Sequence, residues 1–289
     1  MKYLLEFDLA SERDEHNFIL HSNHPKLNMT CYSDSLYPFR IFPDKGMCHI
    51  EFEEVTIFCG SNGSGKSTLL NIMANKLGLR HDSLYNETPL MEEYLGFCDY
   101  DMNLGRRPPS KSRIITSDDM FDYMLNIRSL NKGVDLERER LFDEYYTAKN
   151  DTGYTMRTLD DYDELKRRNE IRRSTKSAFT GRRLPENLIT KSNGESAYRY
   201  FTHEIDCDAL YLLDEPENSL SAKLQAELKK FIIDSARFYN CQFVISTHSP
   251  FLLSIPGAKI YDLDSSPVCE KEWTELEAVK IYRDLFVNQ

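Results

Sequence analysis

Eight consecutive residues, Gly60-Ser61-Asn62-Gly63-Ser64-Gly65-Lys66-Ser67, read G-x-x-x-x-G-K-S between an apolar strand, Val55 to Phe58, and an apolar-periodic helix. This pattern binds phosphate. Glycines at 60, 63 and 65 let the main chain turn tightly and approach a polyphosphate with no Cβ in the way, so successive N–H groups point at its oxygens. Lys66 adds a point charge, and the helix that starts near it offers its N-terminal dipole to the same anion. The Ser67 hydroxyl is placed to ligate Mg²⁺. With Thr68, these residues form the candidate nucleotide-binding set.

Two further groups of residues suit chemistry on a polyphosphate. Leu210-Tyr211-Leu212-Leu213 is a short apolar run, as a strand buried on both faces requires, and it ends in Asp214-Glu215-Pro216. In the Walker B reading the Asp214 carboxylate holds Mg²⁺ through its water shell, and Glu215 reaches the water that attacks the γ-phosphate. An acidic helix cap is the alternative. His248 also follows an apolar strand, Phe243-Val244-Ile245, within Ser246-Thr247-His248-Ser249-Pro250. Its expected work is to bond the γ-phosphate and the attacking water; a satisfied structural histidine is the alternative.

The elements that must position these groups follow from periodicity. Short strands are predicted at Tyr3 to Phe7, Phe18 to Leu20, Phe39 to Phe42 and His49 to Phe52, forming an N-terminal antiparallel sheet. Tyr37, Phe39 and Phe42 are candidates to stack on a base or to fill the core. The helix after the phosphate loop buries Leu69, Leu70, Ile72, Met73 and Leu77 and stops at Gly78. Residues 80–110 read as surface loop. A strand at Arg113 to Thr116 runs into Ser117-Asp118-Asp119, an N-cap for a helix carrying Met120, Phe121, Met124 and Leu125. Leu220, Leu224, Leu228, Phe231 and Ile232 stripe one helix, and Leu276, Val279, Ile281, Tyr282 and Leu285 another that docks on the body.

Composition sets limits. The 289 residues carry a formal charge of −11, which argues against nucleic-acid binding over the whole surface. A local exception is 166–191, where nine Lys or Arg face two Glu, and DNA contact through this stretch is one reading of it. The other is a solvated face. Seven scattered cysteines without a C-x-x-C pair fit reduced thiols. No apolar run approaches the ~20 residues of a membrane span, and no signal peptide is evident, so a cytoplasmic location without membrane contact is expected.

Ser192-Asn193-Gly194-Glu195-Ser196 resembles the S-G-G-E/Q signature of ABC-type ATPases, and phosphate loop, signature, acidic pair and histidine follow one another in the order of an ABC ATPase head. The chain is most similar to compact bacterial heads related to the RecF, SMC and OLD-type ATPases. That resemblance implies an α/β ABC-type P-loop NTPase head with an N-terminal antiparallel β subdomain, a mainly parallel core sheet and a helical insertion. The core would be 1–79 and 188–289, with a charged insertion at 80–187. It implies an Mg²⁺-dependent ATPase working as an ATP-sandwich homodimer. Lys66, Ser67, Asp214, Glu215 and His248 of one subunit would then face Ser192, Gly194 and Glu195 of the other, with Asn218-Ser219-Leu220-Ser221 as the D-loop. A protein partner is expected, a nuclease or toxin in phage defence being one setting. A nucleotide-gated scaffold and a DNA-maintenance ATPase are the alternatives. The chain departs from the pattern at Lys191, Asn193 and Ser221, and no glutamine precedes Gln225 to serve as the Q-loop residue. Asp118 or Asp119 stands where that loop would fall.

Overall fold

The computed structural model describes residues 1–21, 36–83, 87–103, 105, 107–150 and 192–287; within 151–191 it describes only Asp163, Lys166, Asn169, Arg173, Thr175, Lys176, Thr180 and Leu184. Most of the basic stretch 166–191, and Cys31, lie outside the described residues. Two units are present, Met1–Asp122 with Asn193–Gln289, and Tyr123–Ser192. Residues 80–122, assigned to the insertion on sequence grounds, belong to the first unit because they supply strands to both of its sheets.

The smaller sheet is antiparallel, with β1 (Leu4–Asp8) between β2 (His49–Glu51) and β4 (Asp99–Met102). The larger sheet has the order β5-β6-β7-β3-β8-β9, built from β3 (Val55–Cys59), β5 (Arg113–Thr116), β6 (Leu210–Asp214), β7 (Gln242–Ser246), β8 (Lys259–Asp262) and β9 (Cys269–Glu270). Its strands are parallel except β9, which runs antiparallel to β8. This is the expected combination of an antiparallel subdomain with a mainly parallel core sheet. Leu210 to Leu213 and Phe243 to Ile245 are wholly buried, which accounts for their unbroken apolar runs. Gln242 ties the two sheets together. Its Oε1 accepts from Tyr3 N and Leu4 N, both at 2.8 Å, and its Nε2 donates to Leu4 O at 2.8 Å and Glu53 O at 3.0 Å.

Helix α1 (Glu12–His21) occupies the stretch where Phe18 to Leu20 were expected to be a strand. The cause is local: Ser11 Oγ accepts Asp14 N at 3.2 Å, and Glu12, Asp14 and Glu15 fill the first turn, where the helix dipole favours carboxylates. Phe39 to Phe42 likewise form no strand, since Arg40 takes φ +66° and Phe42 leads into a 3₁₀ turn at Pro43–Lys45. Phe39 and Phe42 are buried core aromatics; Phe39 stacks on Phe18 with ring centroids 5.0 Å apart. Within the expected loop 80–110 lie α3 (Met91–Phe97) and β4, anchored by buried Met91 and Tyr94. Helix α2 (Lys66–Leu77) buries the predicted face and stops at Gly78, whose φ of +66° lets its N–H cap Ala74 O and Asn75 O.

Helix α4 (Ser117–Asn150) begins with a reciprocal cap: Asp119 Oδ2 accepts Thr116 N at 2.7 Å and Thr116 Oγ1 accepts Asp119 N at 3.2 Å. Helix α5 (Asn193–Glu204) precedes β6, and α6 (Ala222–Phe238), capped by the Ser221 side chain, buries Leu228 and Ile232. A short α7 (Pro250–Leu253) follows β7. Helix α8 (Glu277–Val287) docks less than its pattern suggests. Leu276 and Val279 are buried, whereas Ile281, Tyr282, Leu285 and Phe286 are exposed. In the second unit Leu141 and Tyr145 are buried with Leu184 against them, and Lys176 Nζ lies 3.8 Å from the Phe142 ring centroid. Among the described residues no helix is long and apolar enough to cross a membrane.

Candidate functional site

Parallel strands β3, β6 and β7 end side by side, Phe58 and Asp214 both pairing with Ser246, so the three sequence motifs emerge at one sheet edge. The phosphate loop leaves β3 there. Gly63 and Gly65 take φ of +81° and +99°, and a Cβ at Gly60 would lie 2.6 Å from Ser64 Oγ, so each glycine meets a real constraint. Two distant segments brace the loop. Lys45 Nζ donates to Ser64 O at 2.7 Å and Leu263 O at 2.8 Å, while Asp264 accepts Ser61 N at 2.7 Å and Ser61 Oγ at 2.8 Å. Lys66 is buried with its Nζ folded onto the carbonyls of Gly60 (2.7 Å) and Ser61 (3.1 Å). Asn62 lines an adjoining cavity of about 830 Å³, together with Gly60, Ser61 and His248.

At the end of β6, Asp214 Oδ1 accepts Ser67 Oγ at 3.1 Å and also the Ser246 hydroxyl. Burial pushes the Asp214 carboxyl above the usual aspartate range, against the pull of those two hydroxyls. The pairing sets a hydroxyl and one carboxylate together, a hard-oxygen set suited to Mg²⁺ when phosphate oxygens and water complete the shell. Among the described residues no cluster of three or more His, Cys, Asp or Glu is built to hold a metal alone.

Glu215 takes φ +47°, a left-handed conformation that costs a non-glycine residue about 1–3 kcal/mol. Its N–H donates to Ser246 O at 3.0 Å, and its Oε2 accepts Asn218 Nδ2 at 3.2 Å. Glu215 Oε1 then lies 3.8 Å from Lys66 Nζ and 3.7 Å from His248 Nδ1. The predicted lysine, acid and histidine thus converge on one oxygen.

Sequence reasoning missed Glu217. It is 6% exposed, and its Oε1 accepts Thr247 Oγ1 at 2.6 Å and His248 N at 2.9 Å. Burial raises its carboxyl above the ordinary glutamate range. Only the placement of β7 beside β6 brings 217 to 247–248. The sequence signal was slight, a second acid in Asp214-Glu215-Pro216-Glu217.

The signature residues sit elsewhere. Gly194, in the first turn of α5, packs on the turn at Ser219: a Cβ there would lie 2.9 Å from Ser219 O and 3.2 Å from Leu224 Cδ1. Glu195 is exposed in the same turn, and Ser192, in the second unit, is exposed. Of the Q-loop candidates, Asp118 is exposed, and Asp119 is buried with its Oδ2 committed to the cap of α4. Cys48, Cys59, Cys98, Cys207, Cys241 and Cys269 are free thiols.

Residues 180–254, which span the acidic pair, Glu217 and His248, match the family model described as "AAA domain, putative AbiEii toxin, Type IV TA system". Among solved structures the chain is similar to the Smc head domain of Pyrococcus furiosus bound to the C-terminal domain of ScpA, at 15% identity over 82% of this chain and 95% of that one, with a TM-score of 0.37. The SMC head domain from Thermotoga maritima gives 12% identity over 78% and 93% of the two chains and a TM-score of 0.36. An inward-facing "putative metal-chelate type ABC transporter" gives 18% identity over 83% and 80%, with a TM-score of 0.37. No curated protein matches the sequence.

Proposed function

We propose that the chain is an ABC-type ATPase head that binds ATP with Mg²⁺ at residues 60–68 and hydrolyses it as an ATP-sandwich dimer, with closure on the nucleotide as its output. The observation that carries the reading is the convergence of Lys66 and His248 on Glu215 Oε1, at 3.8 and 3.7 Å, beside the Ser67–Asp214 pair. In this reading Lys66 Nζ exchanges the Gly60 and Ser61 carbonyls for phosphate oxygens. Ser67 and Asp214 hold the metal, which when bound offsets the phosphate charge. Glu215 orients the attacking water and accepts its proton, and His248 bonds the γ-phosphate side of that water.

Ser192, Gly194 and Glu195 serve the nucleotide of the second subunit. The contact of Gly194 with the turn at Ser219 supports this assignment, since it joins the signature helix and the D-loop into one surface. The closing motion acts on a protein partner, a nuclease or toxin being the class proposed.

Light scattering on wild type and Glu215→Gln, with and without ATP and Mg²⁺, beside a phosphate-release assay, tests this. Doubling of the mutant's mass by ATP together with phosphate release by wild type is expected. A mass indifferent to ATP, with no phosphate released, sinks the proposal.

A further inference from the structure

The chemistry assigned above leaves a buried carboxylate unused. Glu217 lies two residues past Glu215, in a turn fixed by Asn218 N donating to Glu215 O at 3.1 Å. Its Oε1 takes the Thr247 hydroxyl and the His248 N–H and lies 3.9 Å from His248 Nε2. Its Oε2 is buried with no hydrogen-bond partner among the described residues. The other ring nitrogen, Nδ1, lies 3.7 Å from Glu215 Oε1. The imidazole therefore sits between two carboxylates at distances too long for a hydrogen bond to either. Its backbone, by contrast, is pinned: Thr247 N donates to Phe58 O at 3.1 Å and Ser249 N to Thr247 Oγ1 at 3.0 Å.

A buried oxygen without a donor is a vacancy that a nearby N–H fills at a gain. The His248 ring, whose Nε2 lies 3.9 Å from Oε1 of the same carboxylate, can rotate toward it without moving main chain. We propose that Glu217 is the positioning residue for His248, fixing its backbone through Oε1 and giving the imidazole a resting station from which it swings toward Glu215 and the γ-phosphate. The inference rests on the hydrolytic reading for the working end of that swing; the resting end stands on the Glu217 geometry alone.

The test compares wild type, Glu217→Gln, His248→Ala and the double variant in ATP affinity, kcat and KM, and follows the His248 imidazole ¹⁵N shifts, which report tautomer and hydrogen bonding. Gln keeps an oxygen to accept from Thr247 and His248 N, but replaces the acceptor Oε2 with an NH₂. Expected are an unchanged melting temperature, unchanged ATP affinity and KM, and kcat lower by roughly tenfold, about 1.4 kcal/mol. In the His248→Ala background Glu217→Gln should cost nothing further, and it should shift the imidazole resonances. Equal losses in both backgrounds, a fall in affinity matching the fall in kcat/KM, or unmoved resonances would overturn the proposal. If Glu217→Gln does not fold, Glu217→Asp, which retains the carboxylate but withdraws it, takes its place under the same criteria. If wild type releases no phosphate, the hydrolytic reading fails, and the imidazole shifts alone decide the role of Glu217.

Discussion

Asp214 is a carboxylate held in a place that disfavours its charge. Burial raises its pKa more than the Ser246 and Ser67 hydroxyls lower it, and neighbouring Glu215 raises it further. The folded chain therefore keeps a proton on Asp214 where the unfolded chain has lost it. Stability without metal accordingly falls as pH rises from the ordinary aspartate value through the raised one. Asp214→Asn removes that penalty and keeps an oxygen for both serines. It should melt a few degrees above wild type at neutral pH without Mg²⁺, with the gap closing in mildly acidic buffer, and should lose phosphate release. A variant that melts below wild type at neutral pH would contradict the assignment. That residues 60–67 and 214–215 would follow buried strands was legible in the sequence because the pattern is local: a loop of fixed spacing, and an acid pair at the end of an apolar run. Glu217 was not, because a second acid two residues on is too slight a local mark. Its burial comes from β7 lying beside β6, a pairing between segments some thirty residues apart.

Elements were readable where length and punctuation agreed. The stop of α2 at Gly78 and the buried strands β6 and β7 follow directly from the sequence, while α1 was misread because Phe18-Ile19-Leu20 is too short an apolar run to separate helix from strand. The start of α5 shows what pattern alone conceals. Alanine usually outranks glycine in a helix, by about 1 kcal/mol. At Gly194 the added Cβ would meet the Ser219 carbonyl at 2.9 Å, and backbone yields poorly. Gly194→Ala should therefore destabilise the chain by about 1–3 kcal/mol in urea unfolding; a stabilised variant would show that the turn at Ser219 gives way instead. The junction of the two sheets depends on Gln242, whose side chain satisfies Tyr3 N, Leu4 N, Leu4 O and Glu53 O. Gln242→Leu strands these buried groups and should cost about 3 kcal/mol or more, since each orphan costs about 1–3. Denaturant unfolding monitored by circular dichroism would register it.

Across the whole molecule, the mainly parallel core was expected from the resemblance to ATPase heads, whereas the lateral order β5-β6-β7-β3-β8 could not be read, because the pairing of β3 with strands near the far end of the given sequence leaves no local trace. The charge of −11 also acts at this scale. Two copies brought face to face repel, and salt screens that repulsion. If the chain dimerises on ATP as proposed, dimerisation of Glu215→Gln should strengthen between ~0.05 and ~0.3 M salt, over which the screening length falls to a little under half. Sedimentation would show this, and weakening instead would mean that opposite charges meet across the interface. The position of β3 between β7 and β8 carries a consequence for how the molecule is made. The strand that leads into residues 60–67 has no neighbour until residues 242–262 exist, and Ser61 finds its clamp only once Asp264 is in place, although Lys45, which holds Ser64 O, precedes the loop. A nascent chain still short of residue 264 therefore carries the whole loop sequence without the strand neighbours and the Asp264 clamp that hold it, the clamp being made 203 residues after Ser61.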